Sequence, residues 1–234
     1  IQNIHVDTVD IKGESQVGGL TGLNRGTIQN SSVAGDIEGF EETGGLVGVN
    51  KGSITSSYAT ANVEGDFSAG GLVGINDSTG EMKTSYASGN VFGSYDVGGL
   101  VGENRGSVKQ SYAVGDITIT QENVGGLIGK SSGLVSETYS TGKVEGNPLK
   151  EDGIGGLIGL DNGSSYEKTS FWDTNTSGVD KSAGGEGKTT AELAEYSIYG
   201  EAEWNSNVWD YYPGKYPKLQ DIFHDDTFDV MPPQ

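Results

Sequence analysis

Cysteine is absent from this 234-residue chain, and histidine occurs only as His5 and His224. The first absence removes disulfides, thiolate metal sites and a cysteine nucleophile. The second removes most zinc and triad chemistry. A zinc peptidase needs two histidines one helical turn apart with a glutamate, and a Ser-His-Asp triad needs a histidine beside its serine. Two histidines at opposite ends supply neither. Basic residues are scarce as well: fourteen Lys and Arg against thirty-three Asp and Glu give a formal charge of −19. That surface repels phosphate backbones and anionic lipid, so no nucleic-acid partner is expected. No apolar run approaches the roughly 20 residues that span a bilayer, so no membrane insertion is expected within the chain. The chain opens at Ile1 and ends in "VMPPQ", which reads as part of a longer multidomain protein.

Glycine, by contrast, is plentiful at 40 residues, and it recurs at fixed intervals. Gly-Gly-Leu begins at Gly18, Gly44, Gly70, Gly98, Gly125 and Gly155. Other columns follow the same period. Leu20, Leu46, Leu72, Leu100, Leu127 and Leu157 form one, and Asn24, Asn50, Asn76 and Asn104 another. Tyr58, Tyr86, Tyr112, Tyr139 and Phe171 make an aromatic column, and Ile37, Val63, Val91, Ile117 and Val144 a β-branched one. Apolar segments this short, separated by Gly, Asn, Asp and Ser, carry no helical period. The expected fold is all-β: a β-solenoid (β-helix) of about six coils of 26–30 residues, with three short strands per coil. Leucine, tyrosine and valine ladders are expected inside the coil, with asparagines bonded to each other along the axis. The glycines are expected to take positive φ at corners and to permit close backbone approach. At about 4.8 Å per coil, six coils make a rod about 30 Å long. By alignment of Ile11 with the β-branched column, residues 1–17 are the tail of a preceding coil. The solenoid then covers 1–171.

Residues 172–220 read as a C-terminal cap whose large aromatics cover the open edge of the last coil. All three tryptophans fall there, as Trp172, Trp204 and Trp209. "KTTAELAEY" offers Thr189 and Glu192 as a capping box opening a short helix. A turn-rich strand pair is expected around Pro213 and Gly214. Trp204, Trp209, Tyr211 and Tyr212 are the candidate ligand-binding residues, as an aromatic platform for sugar rings. Residues 221–234 read as an acidic linker or tail. Extra residues in "NDSTGEM", "GNPLKEDGI" and "DNGSSYEK" belong to surface loops.

The repeated Gly-Leu-hydrophobic-Gly run, as in Gly45-Leu46-Val47-Gly48 and Gly99-Leu100-Val101-Gly102, resembles the GLUG-motif repeat family. The aromatic ending "SFWDTNTSG…NVWDYYPGKYPKL" resembles the segment that often follows such repeats. The resemblance implies a bacterial secreted or cell-surface setting, as in adhesin-like proteins and some immunoglobulin A-cleaving metallopeptidases. The expected function is a non-catalytic extracellular structural or adhesive module, a rigid stalk or binding surface for a host or matrix protein or a surface glycan. Three alternatives stay open: a carbohydrate-binding domain, a glycan-active β-helix domain, and an accessory domain of a secreted peptidase. No cofactor, metal or catalytic residue is expected. "SAGGEGKTT" resembles a phosphate-binding loop but has Ser182 where that pattern needs glycine. Asp36, Asn62, Asn90 and Asp116 form a polar column that Lys143 interrupts, unlike a calcium-binding roll. No strand-borne Asp/Glu cluster with an arginine beside it is evident, which weakens the enzyme alternative.

Overall fold

The computed structural model describes residues 1–146, 153–220 and 222. The expected acidic tail and most of the "GNPLKEDGI" insertion lie outside the described residues. After each Gly-Gly-Leu comes a four-residue strand: Thr21–Asn24, Val47–Asn50, Val73–Asn76, Val101–Asn104, Ile128–Ser131 and Ile158–Asp161. These six pair side by side as one parallel sheet, the first face of a β-solenoid. Like stands over like, with Val73 between Val47 and Val101 and Asn76 between Asn50 and Asn104. The second face begins with short strands such as Ser53–Thr55 and Glu81–Lys83, which turn Ile54 and Met82 into the core. Tyr58–Ala59 and Tyr86–Ala87 continue it. In the next two coils the two pieces run together as Ser107–Ala113 and Leu134–Ser140. The third face holds the long strands Ser32–Gly44, Asn62–Gly70, Val91–Gly98 and Ile117–Gly125, again parallel. The segment His5–Lys12 pairs in parallel with the first of these, its register shifting by one residue between Val6 and Val9, with Ile11 opposite Ile37.

One coil has almost no core of its own, because its inward side chains meet mainly those of the coils on either side. Leu46, Leu72, Leu100, Leu127 and Leu157 are fully buried in one continuous cluster with Ile54, Met82, Val108 and Val135. Two polar ladders run beside it. Asn24 donates from Nδ2 to Asn50 Oδ1 at 2.8 Å, Asn50 to Asn76 at 2.9 Å, and Asn76 to Asn104 at 2.9 Å. The expected asparagine ladder is therefore present, and Asn104 extends it to Ser131 Oγ at 3.3 Å. A second, serine ladder was not foreseen. The backbone N–H groups of Ser31, Ser57 and Ser85 donate to the hydroxyls of Ser57, Ser85 and Ser111, at 3.2, 3.3 and 3.2 Å. Each serine follows a residue in the left-handed region: Asn30, Ser56, Thr84 and Gln110. The kink takes one backbone group out of the regular ladder, and the hydroxyl of the next coil supplies its acceptor.

Two expectations about side-chain roles are corrected. The left-handed corners that recur from coil to coil are not glycines. They are polar residues in two columns, Asn30, Ser56, Thr84, Gln110 and Glu137 in one, and Gln16, Glu42, Ser68, Asp96 and Asn123 in the other. The tyrosine ladder does not lie inside the coil. Ala59, Ala87 and Ala113 face the core, while the neighbouring Tyr58, Tyr86, Tyr112 and Tyr139 turn outward from the second face. Their rings stack at 4.9 Å with interplanar angles of 2°, 3° and 9°.

The C-terminal segment covers two surfaces. Phe171–Asp173 joins the ladder and Glu186–Lys188 pairs onto it in parallel, so strand pairing continues past residue 171. Ser182 Oγ accepts from Leu157 and Ile158 N–H at 3.1 and 2.8 Å, and Gly156 N–H donates to the Lys181 carbonyl at 2.9 Å. The serine that spoils the phosphate-loop pattern thus satisfies the open edge of the last coil. Trp172 closes the apolar end, its indole packed on Gly156, where an added Cβ would lie 2.0 Å from Trp172 Cδ1. Three short helices follow: α1 (Thr174–Ser177), α2 (Thr190–Leu193) and α3 (Tyr196–Glu201). The expected capping box opens α2, with Thr189 and Glu192 bonded reciprocally. An antiparallel pair, Trp209–Asp210 with Lys218–Leu219, spans a turn in which Gly214 has φ +71°.

Candidate interaction surfaces

The aromatic residues divide by exposure into a buried core and an exposed set. Trp204 and Trp209 do not lie over the open edge. The segment turns back along the second face and lays both on the outward tyrosine ladder. Trp209 centres 5.8 Å from the Tyr139 ring, and Trp204 5.6 Å from Phe171. Tyr139 donates its hydroxyl to the Pro217 carbonyl at 2.8 Å, and Trp204 Nε1 donates to the Thr169 carbonyl at 2.8 Å. Trp204 is 6% exposed and Trp209 1%. Both belong to a core and offer no face to a sugar. Of the four candidates, Tyr211 is half-buried and Tyr212 is exposed; Tyr196, exposed beside Tyr211 at 4.8 Å, joins them.

Glu137 ties this segment to the solenoid. Its carboxylate accepts from Gln110 Nε2 at 3.1 Å and from Asn205 N–H at 2.9 Å, and Lys168 Nζ stands 3.2 Å away. Sequence reading missed this anchor. Glu137 occupies the left-handed column, where Asn30, Ser56 and Thr84 are shorter and Gln110, of equal length, bonds to Glu137.

The third face carries a different aromatic group. Phe40, Phe67 and Phe92 are all exposed there, on three adjacent strands. The Phe67 ring stacks on Tyr95 at 5.2 Å with a 6° interplanar angle, and Phe40 meets Phe67 edge-on at 5.4 Å. Beside this rail an elongated groove of about 590 Å³ crosses successive coils. Its polar wall is the Asp36, Asn62, Asn90, Asp116 column. Asn90, Asp116 and Lys143 each donate a backbone N–H to the side chain one coil earlier, at 3.2, 3.0 and 2.9 Å. The column is a backbone cap first, with its remaining polar atoms on the groove side. A second hollow of about 620 Å³ lies against the C-terminal segment, walled by Glu167, Glu186, Glu201 and Glu203 with Lys168 and Tyr166.

The structure does assemble acids with an arginine, against expectation. On the first face, Glu103 and Lys130 occupy a column otherwise filled by Leu23, Val49, Ile75 and Leu160. Lys130 Nζ lies 3.2 Å from Glu103 and 3.8 Å from Asp96, and Arg105 also pairs with Glu103. Burial pushes the Glu103 carboxyl up, but hydrogen bonds and charge from Arg105 and Lys130 outweigh it and leave it below its usual range. Burial dominates at Asp96 and raises it, although Asn123 donates to it at 2.7 Å. The signal existed in the sequence as residues 96, 103, 105 and 130, but only the coil register brings them together. Each charge there already has a partner. His5 bonds to Ser32 Oγ at 2.8 Å. Among the described residues no group of three His, Cys, Asp or Glu is arranged to hold a metal. No helix of the described residues is long and apolar enough to cross a membrane.

The family model described as the GLUG motif matches residues 93–119. The chain carries a GLUG motif. No curated protein and no solved structure matches it. The geometry explains why the GLUG signature needs its glycines. A Cβ on Gly44 or Gly70 would stand 2.2 or 2.1 Å from the carbonyl oxygen of Val47 or Val73. On Gly45 or Gly71 it would stand 2.1 or 2.2 Å from the oxygen of Gly71 or Gly99 in the next coil. On Gly74 or Gly102, the last position of the signature, it would strike the backbone of Glu42 or Ser68 at 2.6 and 2.5 Å. At these positions backbone approaches backbone, and a side chain there forces the coils apart, whereas at the last copy Gly156 makes room for the Trp172 indole.

Proposed function

We propose that this GLUG-motif chain is a non-catalytic module of a secreted or surface-exposed bacterial protein, serving as a stiff support that presents a binding surface. The observation that carries this reading is the unbroken parallel register of the first-face sheet, reinforced by the asparagine and tyrosine ladders along the same axis. Bending such a rod must stretch strand pairing, side-chain bonds and ring stacks at once, so its ends keep a fixed separation. The acidic surface keeps it dissolved at the cell boundary. The carbohydrate-platform alternative retains only Tyr196, Tyr211 and Tyr212 on the cap. Antibody against the chain should stain intact cells that make the parent protein, and excising the solenoid should reduce their attachment to a partner surface. Staining only after permeabilisation, or unchanged attachment, would overturn this reading.

A further inference from the structure

The three exposed phenylalanines among the described residues share one face of a chain whose formal charge is −19. Nothing in the fold requires them. In the outward column of that face, Phe92 stands where the neighbouring coils carry Glu64 and Thr118, and Phe67 stands beside Glu41. Clustered exposed aromatics mark interaction surfaces more often than chance. The carboxylates around them define the partner. No lysine or arginine among the described residues comes within ion-pair distance of Glu41, Glu64 or Asp66. Lys12 and Lys143, at the two ends of the groove, are already paired with Glu38 and Glu145.

Three kinds of occupant can be compared on this chemistry. A polyanion is repelled. A sugar stacks on a free aromatic face, but Phe67 and Tyr95 each give one face to the other and Phe67 also meets Phe40 edge-on. An apolar partner would strip water from Glu41 and Glu64 and leave Asp66 with only its Ser94 hydroxyl, at considerable cost. Lysine and arginine meet both demands: their stems pack on apolar edges while their heads reach the acids. The groove beside these residues, lined by Glu64 and Phe92 and not by Phe67, Glu41 or Asp66, crosses rungs repeating at about 4.8 Å and suits a chain laid along the axis.

We propose that the third face, centred on Phe67, Phe92, Glu41, Glu64 and Asp66, docks an extended Lys- or Arg-rich segment of a partner protein. This deepens the presenting-module reading and rests on it, but the two fail separately, since cell-surface staining does not depend on this face. The test is calorimetric titration of the chain with a peptide alternating arginine and leucine. A glutamate–leucine peptide and a neutral oligosaccharide mixture serve as comparison ligands. Phe67→Ser with Phe92→Ser, and separately Glu41→Gln with Glu64→Gln and Asp66→Asn, should each weaken arginine-peptide binding at least about tenfold. Glu81→Gln with Glu195→Gln and Glu201→Gln removes as much charge elsewhere and should leave affinity within about twofold. All substituted side chains are exposed, and melting curves verify the fold. Equal weakening by the control triple would overturn the proposal, since binding would then be general attraction to an acid surface. So would indifference to the aromatic pair, absence of peptide binding, or capture of the oligosaccharide instead.

Discussion

Replacing Asn76 with alanine tests whether the side-chain ladder stabilises the coils. Asn76 is fully buried. Its Oδ1 accepts from Asn50 at 2.9 Å, and its Nδ2 has Asn104 Oδ1 at 2.9 Å and the carbonyls of Gly80 and Ser107 at 3.3 Å. Two hydrogens serve those three acceptors, so the side chain makes about three effective bonds. At about 1 kcal/mol each the loss is about 3 kcal/mol, and stranding Asn104 Oδ1 adds about 1 kcal/mol more. Asn24 begins the ladder: it donates to Asn50 and the Ser53 carbonyl and accepts from Gly26 N–H, the last two bonds only part-buried, and Asn50 Oδ1 keeps Gly52 N–H as a donor without it. Asn24→Ala, which strands no buried acceptor, should cost about 2 kcal/mol. Urea unfolding of both variants against the parent, with the slope of the transition checked for constancy, measures the difference. Equal small losses at Asn76 and Asn24 would refute the reasoning, because the ladder would then be a consequence of coil stacking and not a source of it.

Other outcomes follow from the same geometry. Gly74→Ala should destabilise by about 3 kcal/mol, because its Cβ meets backbone and not a side chain that can move. Thr84→Gly should instead stabilise by about 0.5–1 kcal/mol: relief of a β-branched residue at φ +53° exceeds the added freedom of the unfolded chain, and thermal melting reads both signs. Trp209→Ala should cost about 3–5 kcal/mol and release the C-terminal segment from the tyrosine ladder, seen as lost near-ultraviolet dichroism with far-ultraviolet strand signal kept. Burial holds the Tyr112 and Tyr139 phenols well above 10.0. A folded pKa above the unfolded one gives stability that is complete below pH 10 and declines as pH rises past it. Spectrophotometric titration should show these phenols ionising only as the fold opens; ionisation of every tyrosine at pH 10 with the fold intact would contradict their burial.

Much of the fold was legible because a solenoid repeats its physics. Leu46, Ile54 and Val63 had to face inward since the same spacing recurred, and Asn50 had to meet Asn76 once the register was set. Tyr112 was misplaced inside the coil because a column reveals recurrence, not direction. The small residue beside it, Ala113, was the available signal for which side faced the core. The left-handed corners escaped notice because Gln16, Glu42, Ser68, Asp96 and Asn123 share polarity and little else. Gly48 and Gly74 looked like corner residues, yet what they answer to is the backbone of another coil, which no local reading contains. Trp204 and Trp209 looked like a platform because their partners, Tyr139 and Phe171, are distant in sequence. Phe40, Phe67 and Phe92 went unremarked because they fall in different columns and share a face only once the strands are laid side by side.

The most direct measurement of the central claim is the distance between the ends of the rod. With no native cysteine to interfere, Glu14→Cys and Glu186→Cys can carry one spin label each at exposed sites. Pulsed dipolar spectroscopy should return a single narrow distance. Excising residues 71–98, one complete coil, should shorten that distance by about 4.8 Å and keep it narrow. A broad distribution in the parent, or an excised chain whose distance is unchanged or scattered, would contradict a stiff solenoid built from interchangeable coils.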